Sequence, residues 1–161
     1  MLNKLFDLDY NSLKIKEIMP IFTICELQIG NIIGLSNKKG LQIVVVESIS
    51  NDIITVRPLI KNECDSSPIS IDTESLTDKL GGIKLTVQIL SELGFESKED
   101  KILLDPYYRL YIGSHDITLR KYDDKLSIHI DNCDFDTIGV LHDVETIHQF
   151  QNFIQICGIT I

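Results

Sequence analysis

The chain has 161 residues, of which 43% are apolar and 24% are charged. This size and composition predict one globular domain, or a small domain with an elaboration, rather than two independent domains. No apolar run reaches the roughly 18 residues of a membrane span, and the first residues lack the basic region and apolar stretch of an export signal. We therefore expect a cytoplasmic protein with no membrane segment and no bound cofactor.

Acidic residues outnumber basic ones, with 24 Asp and Glu against 15 Lys and Arg and a formal net charge of −9. A polyanion would meet repulsion over most of such a surface, so the charge disfavours generic binding of nucleic acid or anionic membranes. The paired cations at 38–39 and 120–121 are typical of solvated loops. A basic protein surface is the electrostatically favoured partner.

The four cysteines show no Cys-x-x-Cys spacing; they are Cys25, Cys64, Cys133 and Cys157. Neither a zinc ribbon nor a thioredoxin-type redox pair is predicted from this spacing. Without an export signal, disulfides are not expected either.

In residues 1–26, the stretch SLKIKEI fits either a short helix after Asn11 or Ser12 or a strand through Leu13 and Ile15 that ends before Pro20. We assign the segment only as an N-terminal extension.

From Leu27 onward, β-rich runs alternate with short turn signals, which predicts an antiparallel meander. Glycines at 30 and 34 predict a bulge or sharp bend in the first run. The meander would be a small curled sheet of the kind seen in SH3-like half-barrels. The predicted strands are LQIGNIIGL, LQIVVVESIS, IITVRPL and ISID.

A short helix is predicted after this meander. Thr86 fits an N-cap, Val87, Leu90 and Leu93 fall on one helical face, and Gly94 fits the left-handed position that ends a helix. Phe95 would then pack on Leu90.

A second meander and a last helix complete the predicted α+β fold. Asp143 is expected to cap this helix, which would run to Cys157 and stop at Gly158, packed on the sheet. The predicted strands are 107–113, 116–121, 126–131 and 137–141, with turns at 113–114 and 123–124. Residues 27–161 would form one domain, divided into a meander (27–80) and a helix–meander–helix part (81–161).

Two acidic or mixed patterns suggest metal sites, and both have simpler explanations. Asp134, Asp136, Gly139 and Glu145 match four positions of a calcium-loop template, but Ile138 fails a fifth position and no entering helix is predicted. A solvated acidic loop is the favoured interpretation.

His129, Asp131 and Cys133 alternate along a predicted strand, so they would project from one face in a manner compatible with zinc. Three candidate ligands without a fourth form a weak signal, and no metal site is assigned. A half-exposed strand end explains the same residues.

No catalytic motif emerges. Ser114, His115 and Asp116 are contiguous, and neighbouring residues on a strand point to opposite faces, so they do not form a triad. His142 and Glu145 lack the second histidine of a zinc-protease helix. We expect no enzymatic activity.

Four polar residues, His148, Gln149, Gln151 and Asn152, surround Phe150 in the predicted last helix. In the structural interpretation, His148, Gln151 and Asn152 bond to backbone groups of a neighbouring strand end or loop and fix how the helix docks. In the functional interpretation, the polar stripe binds a partner or small ligand. The structural interpretation is favoured, and the four residues are also the candidate binding residues.

Four segments in order resemble a family of small uncharacterised proteins from Bacteroidota and their phages. They are LQIGN (27–31), IKLTVQILSELGF (83–95), YYRLYIGS (107–114) and IHQFQNFIQICG (147–158). The family blocks are an "RIGN"-type opening, a "PIPLT…ILLKLGF" helix and a closing "VHQLQNLYFALTG" helix. The resemblance implies an accessory protein of a phage or mobile element, with no established activity.

The chain departs from the family pattern at several positions. Gln28 replaces a basic residue, Phe150 replaces leucine, and Gly82 and Lys84 stand where prolines are common. Residues 159–161 replace an acidic tail. The polar set at 148–152 is intact.

Three functions are therefore considered. The first is a non-enzymatic acidic interaction protein that docks on a host or phage macromolecule, with a protein as the expected partner. The second is a small-ligand, nucleotide-like binding or sequestering protein whose pocket is lined by the polar stripe. The third is an SH3-like nucleic-acid-binding module using 27–60, which the net charge disfavours.

Overall fold

A computed structural model gives the architecture. It describes residues 7–10, 13, 15, 18–21, 23–38, 40–59, 67–99, 106–122, 125–134 and 136–159. Two antiparallel sheets and several short helices form an α+β fold, as predicted. No helix in these ranges is long and apolar enough to cross a bilayer.

The first sheet has six strands in the order β1-β6-β2-β3-β4-β5. The four strands predicted between 27 and 72 are confirmed as β2 to β5. β1 and β6 come from segments that the sequence left unassigned, and β6 was missed because two glycines occupy its centre. The strands are β1 (Ile18–Pro20), β2 (Ile32–Asn37), β3 (Gly40–Ile49), β4 (Ile53–Pro58), β5 (Ile69–Asp72) and β6 (Leu80–Ile83).

The second sheet has five strands in the order β11-β10-β9-β8-β7. The four predicted strands are confirmed as β8 to β11, although β11 extends three residues beyond its predicted end. The predicted turn at 123–124 lies outside the described residues. The strands are β7 (Glu96–Glu99), β8 (Pro106–Ile112), β9 (His115–Tyr122), β10 (Lys125–Asp131) and β11 (Thr137–Val144).

The α-helices of the described chain are α1 (Leu76–Lys79), α2 (Val87–Leu93) and α3 (Ile147–Ile156), and single 3₁₀ turns occupy Ile24–Glu26 and Thr73–Ser75. The predicted ends of α2 are confirmed. Thr86 Oγ1 accepts a hydrogen bond from the Ile89 amide at 3.3 Å, and Gly94 has a φ of 93°.

The buried face of α2 differs from the predicted face. Val87 is 57% exposed, and Ile89 is buried beside Leu90 and Leu93. Phe95 is buried too, and its ring meets Phe150 of α3 edge-on at 6.0 Å between centroids.

Two apolar cores lie on opposite faces of the first sheet. One includes Ile33, Val44 and Ile54, from β2 to β4. The other joins Ile32 to Ile128 of the second sheet and to Phe150 of α3. β2 contributes to both cores through alternate residues, because successive side chains of a strand point to opposite faces.

The residues before 27, which the sequence suggests as an extension, contribute to the same sheet and cores. β1 pairs antiparallel with β6, and Ile21 has no solvent exposure. Leu8 and Tyr10 are buried in the core between the sheets. Burial raises the pKa of Tyr10 far above its ordinary value, so its hydroxyl stays protonated.

Gly34 and Gly81 are opposite each other on β2 and β6 and form a groove that holds Ile18 of β1. A β-carbon on Gly34 would lie 2.3 Å from Ile18 Cγ2, and one on Gly81 would lie 2.7 Å from three Ile18 side-chain atoms. Gly34 is therefore explained by close packing within a regular strand, and the bend predicted from these glycines is at Gly30, which has a φ of 91°.

We predict that Gly81→Ala destabilises the protein by about 1–3 kcal/mol, because the added methyl group overpacks this groove. Ile18→Ala should cost less in the Gly81→Ala background than in the wild type, since it removes two of the three close atoms, Cγ1 and Cδ1, and leaves only Cβ. Chemical denaturation of the four proteins of this double-mutant cycle measures the coupling. Additive effects would contradict the packing explanation.

Candidate functional site

The N-terminus of α3 is organised by Thr146 and Gln149, so the prediction that Asp143 caps this helix is wrong. Asp143 belongs to β11 and has a φ of 58°. Thr146 is the N-cap, and Gln149 Oε1 accepts hydrogen bonds from the amides of Glu145 at 2.9 Å and Thr146 at 3.1 Å. The Thr-x-x-Gln spacing was the available sequence signal, because it matches a capping box.

Gln151 bonds to the backbone just before and at the start of β2. Its Oε1 accepts from the Ile32 amide at 2.9 Å, and its Nε2 donates to the Gly30 carbonyl at 3.3 Å. β6 pairs with β2 only at Gly34 and Leu35, so β6 supplies no partner for the Ile32 amide. Gln151 thus continues the hydrogen bonding of the sheet where the neighbouring strand has diverged.

Asn152, the next residue of α3, bonds to the same segment before β2. Its Nδ2 donates to the Glu26 carbonyl at 3.0 Å, and its Oδ1 accepts from Asn31 Nδ2 at 2.8 Å. Asn31 is 2% exposed, and its own Oδ1 accepts from the Gln28 amide at 2.8 Å. The side-chain amides therefore form a connected network between α3 and residues 26–32.

His148 is also buried, at 2% exposure, and its ring lies over the backbone of β6. A β-carbon on Gly82 would be 2.7 Å from His148 Cε1 and 2.6 Å from Thr146 Cγ2. His148 Nδ1 shares a hydrogen bond with Thr146 Oγ1 at 3.0 Å, and Nε2 has no partner among the described residues. Burial lowers the pKa of His148 to about 4, although the Glu26 carboxylate opposes this shift.

The four predicted residues thus lie on one helix, and each side chain has a hydrogen bond within the chain. The amides of Gln149, Gln151 and Asn152 are bonded within the chain, and His148 is neutral at pH 7 and enclosed. Gln151 and Asn152 bond to the backbone of another segment, as the structural interpretation predicts. The same prediction is wrong for His148, because its Nδ1 bonds to the Thr146 hydroxyl and its Nε2 has no partner among the described residues. That the set also binds a partner or ligand stays a prediction.

The residues considered for zinc do not converge. His129 faces His142 of the neighbouring strand, with ring centroids 6.3 Å apart, while Cys133 is exposed in the turn after β10. No group of three His, Cys, Asp or Glu side chains within the described ranges is arranged to hold a metal ion. Cys25, Cys133 and Cys157 are free thiols, and Cys64 lies outside those ranges.

The calcium-loop pattern is interrupted by a strand. Ile138 and Gly139 lie within β11, and Glu145 follows the end of that strand. Before it, Asn132 Oδ1 accepts hydrogen bonds from the amides of Asp134 at 2.9 Å and Asp136 at 2.8 Å. An asparagine-centred turn therefore occupies the place of the metal loop.

Ser114, His115 and Asp116 are separated into different roles. Ser114 lies in the β8–β9 turn, and the Asp116 carboxylate is bound by the Arg109 guanidinium on the neighbouring strand. The sequence missed a different serine–histidine contact, between Ser127 Oγ and His142 Nδ1 at 2.7 Å. Only the register of β10 against β11 reveals this pair, and Ser127 is 2% exposed.

Comparison of the chain with protein-family models, with curated proteins and with solved structures gives no match.

We predict that Gln151→Met destabilises the protein by about 2–4 kcal/mol. The substitution keeps the side-chain length but leaves the Ile32 amide and the Gly30 carbonyl without their partner in a buried place. Denaturant unfolding at neutral pH measures the effect.

Gln155→Met is the matched control, because Gln155 is exposed on the same helix. It should change stability by less than about 0.5 kcal/mol. If the two substitutions lowered the free energy of unfolding equally, this would contradict the role of the hydrogen-bond network in docking α3.

We also predict a specific pH dependence from His148. Its folded pKa of about 4 lies below the ordinary value of 6.5, so the unfolded chain binds one more proton between these pH values. The contribution to stability is therefore complete above pH 6.5 and is lost as the pH falls toward 4, by about 3 kcal/mol in all.

Urea unfolding near pH 7 and near pH 4 of the wild type and His148→Gln tests this dependence. On acidification from pH 7 to pH 4, the free energy of unfolding of the variant should fall by about 3 kcal/mol less than that of the wild type. An unchanged pH dependence in His148→Gln would contradict a buried neutral His148.

Proposed function

We propose that this protein is a non-enzymatic, acidic interaction protein that docks on a basic surface of another macromolecule. The supporting observation is its charge, a formal −9 that is mostly carried by exposed side chains. In the described residues, four carboxylates lie within ion-pair distance of a described cation, namely those of Glu47, Glu96, Asp116 and Asp143. Exposed carboxylates such as those of Asp52, Asp72, Glu74 and Asp78 would attract a basic partner.

Part of this charge is carried by residues 72–78 and by Asp52, which lies beside the start of that segment. The acidic surface, defined as Asp52, Asp72, Glu74 and Asp78, is exposed, and none of the four has a described ion-pair partner. Asp72 pairs with Ile53 across β4 and β5, and the Thr73 amide donates to the Asp52 carbonyl at 3.0 Å, so Asp52 lies beside the start of the 72–78 segment. Ile53, 42% exposed, adds apolar area among them. We place the docking contact here.

The sheet edges favour contact through side chains rather than by strand addition. β1 has three residues and ends in Pro20, and the register of β11 against β10 shifts twice. β5 and β7 have four residues each. Short, bulged or proline-ended edges are poor templates for an added strand.

The resemblance to the Bacteroidota and phage family suggests the setting of this interaction, a phage- or mobile-element accessory protein in a bacterial cytoplasm. The SH3-like description of residues 27–72 is a further part of the proposal, supported by the antiparallel β2-β3-β4-β5 meander and its own core. A nucleotide-like ligand on the α3 stripe is less favoured, because the amides there already bond to the chain's own backbone.

The proposal is tested with a variant that neutralises three carboxylates of the acidic surface, Asp72→Asn, Glu74→Gln and Asp78→Asn. Partner capture from bacterial or phage-infected lysate should fall as salt rises from about 50 mM to about 300 mM. With the captured partner purified, the variant should associate about tenfold more slowly than the wild type.

The matched control carries the same charge change elsewhere, Glu92→Gln, Glu99→Gln and Asp134→Asn, all at exposed positions. It should retain most of the wild-type association rate. Binding that ignores salt, or that both variants weaken equally, would count against docking at the acidic surface.

A further inference from the structure

A cavity of about 160 Å³ opens between the start of α2 and one end of the second sheet. Its interior is apolar, because the buried side chains of Leu85, Leu90, Tyr108 and Leu126 line it. Val87, 57% exposed at the first position of α2, forms an apolar lip. Apolar surface left beside open space favours an apolar occupant, since filling it removes that surface from water.

The walls of this cavity are fixed by the backbone. Lys84 forms an isolated bridge with Thr146, and the Leu85 amide donates to the Glu145 carbonyl at 2.8 Å. Lys121 and Leu126 are paired across β9 and β10. The cavity therefore lies between three anchored segments and is formed before any ligand enters, which lowers the entropy cost of binding.

Two exposed lysines, Lys84 and Lys121, line the same cavity. Neither has an ion-pair partner in the described part of the chain, whereas Arg57, Lys98, Arg109 and Lys125 each bind a carboxylate. Two exposed lysine side chains without an ion-pair partner among the described residues therefore line one apolar cavity. They supply charge complementarity for an anion whose remainder is apolar.

From this combination we infer a binding site for a small carboxylate that carries a short apolar group. The apolar group occupies the cavity between Leu90 and Leu126, and the carboxylate lies at the rim near Lys84 and Lys121. The size is suitable, because a cavity of about 150 Å³ holds a benzene-sized group. Such a ligand is either a free short-chain acid or the C-terminal residue of a polypeptide with a branched apolar side chain.

Titration of the full chain followed by ¹⁵N–¹H NMR tests the site with three probes. They are 4-methylpentanoate, which represents a free acid, N-acetyl-leucine, which represents a chain end, and N-acetyl-leucinamide, which lacks the charge. Both carboxylates should shift the amides of residues 84–90 and 119–126, with dissociation constants in the roughly millimolar range expected of so few atoms. The amide should bind at least about threefold more weakly.

The two acids distinguish the sources of the ligand. Tighter binding of N-acetyl-leucine identifies a chain end, and tighter binding of 4-methylpentanoate identifies a free acid; either result supports the site. Inorganic phosphate at the same concentrations should leave these amides unshifted, since it has no apolar group. Equal binding of phosphate, or shifts with none of the probes, would overturn the inference.

The double variant Lys84→Gln and Lys121→Gln should weaken carboxylate binding about threefold to tenfold while leaving the weak binding of the amide unchanged. Lys79→Gln, at another exposed lysine without a described ion-pair partner, is the control and should bind like the wild type. The inference would also be overturned if the Lys79→Gln control no longer bound the carboxylates more tightly than the amide. The same holds if the double variant still did. The acidic surface is unaltered in these variants, so this result is independent of the proposed docking.

Discussion

The contact between α3 and residues 26–32 is the constraint on which the arrangement of the two sheets depends. The Ile32 amide is buried where β6 no longer accompanies β2, and an unpaired buried amide costs about 1–3 kcal/mol. Gln151 satisfies this amide, and its helix then presents Phe150 to the core between the sheets. The need of the Ile32 amide for a hydrogen-bond partner thus fixes the position of α3, which packs against both sheets. Polar residues in an otherwise apolar helix are explained by that requirement.

Much of the fold could be predicted because strand alternation, turn residues and helix caps are each encoded by residues close together in sequence. Alternation and turn residues identified β2 to β5 and β8 to β11, and Thr86 with Gly94 identified both ends of α2. The missed strands carry weaker signals: β6 is half glycine, and β7 is formed by exposed, mostly charged residues. The glycines of β6 are required by side chains from β1 and α3, contacts that no local pattern contains.

For the polar residues of α3, the local sequence likewise predicted the residues themselves but not their distant partners. The four members and the preference for a docking role followed from helical spacing, since Gln151 and Asn152 lie three and four positions after His148 on one side of the helix. Their partners did not follow, because Glu26, Gly30 and Ile32 are more than a hundred residues away in sequence. The helix start was placed at Asp143 for a related reason: aspartate and threonine are both good N-caps, and only the length of β11 decides between them.

The distance along the chain between Gln151 and Ile32, 119 residues, also has a consequence for biosynthesis. During translation the strands of the first sheet leave the ribosome long before α3 exists. Until then, the Ile32 amide and the Gly30 carbonyl can be satisfied only by water, so that face of the nascent sheet must stay hydrated. Closing so long a loop is slow because its entropy is lost before the native contact forms. The nascent chain therefore depends on α3 to exclude solvent from residues synthesised more than a hundred positions earlier.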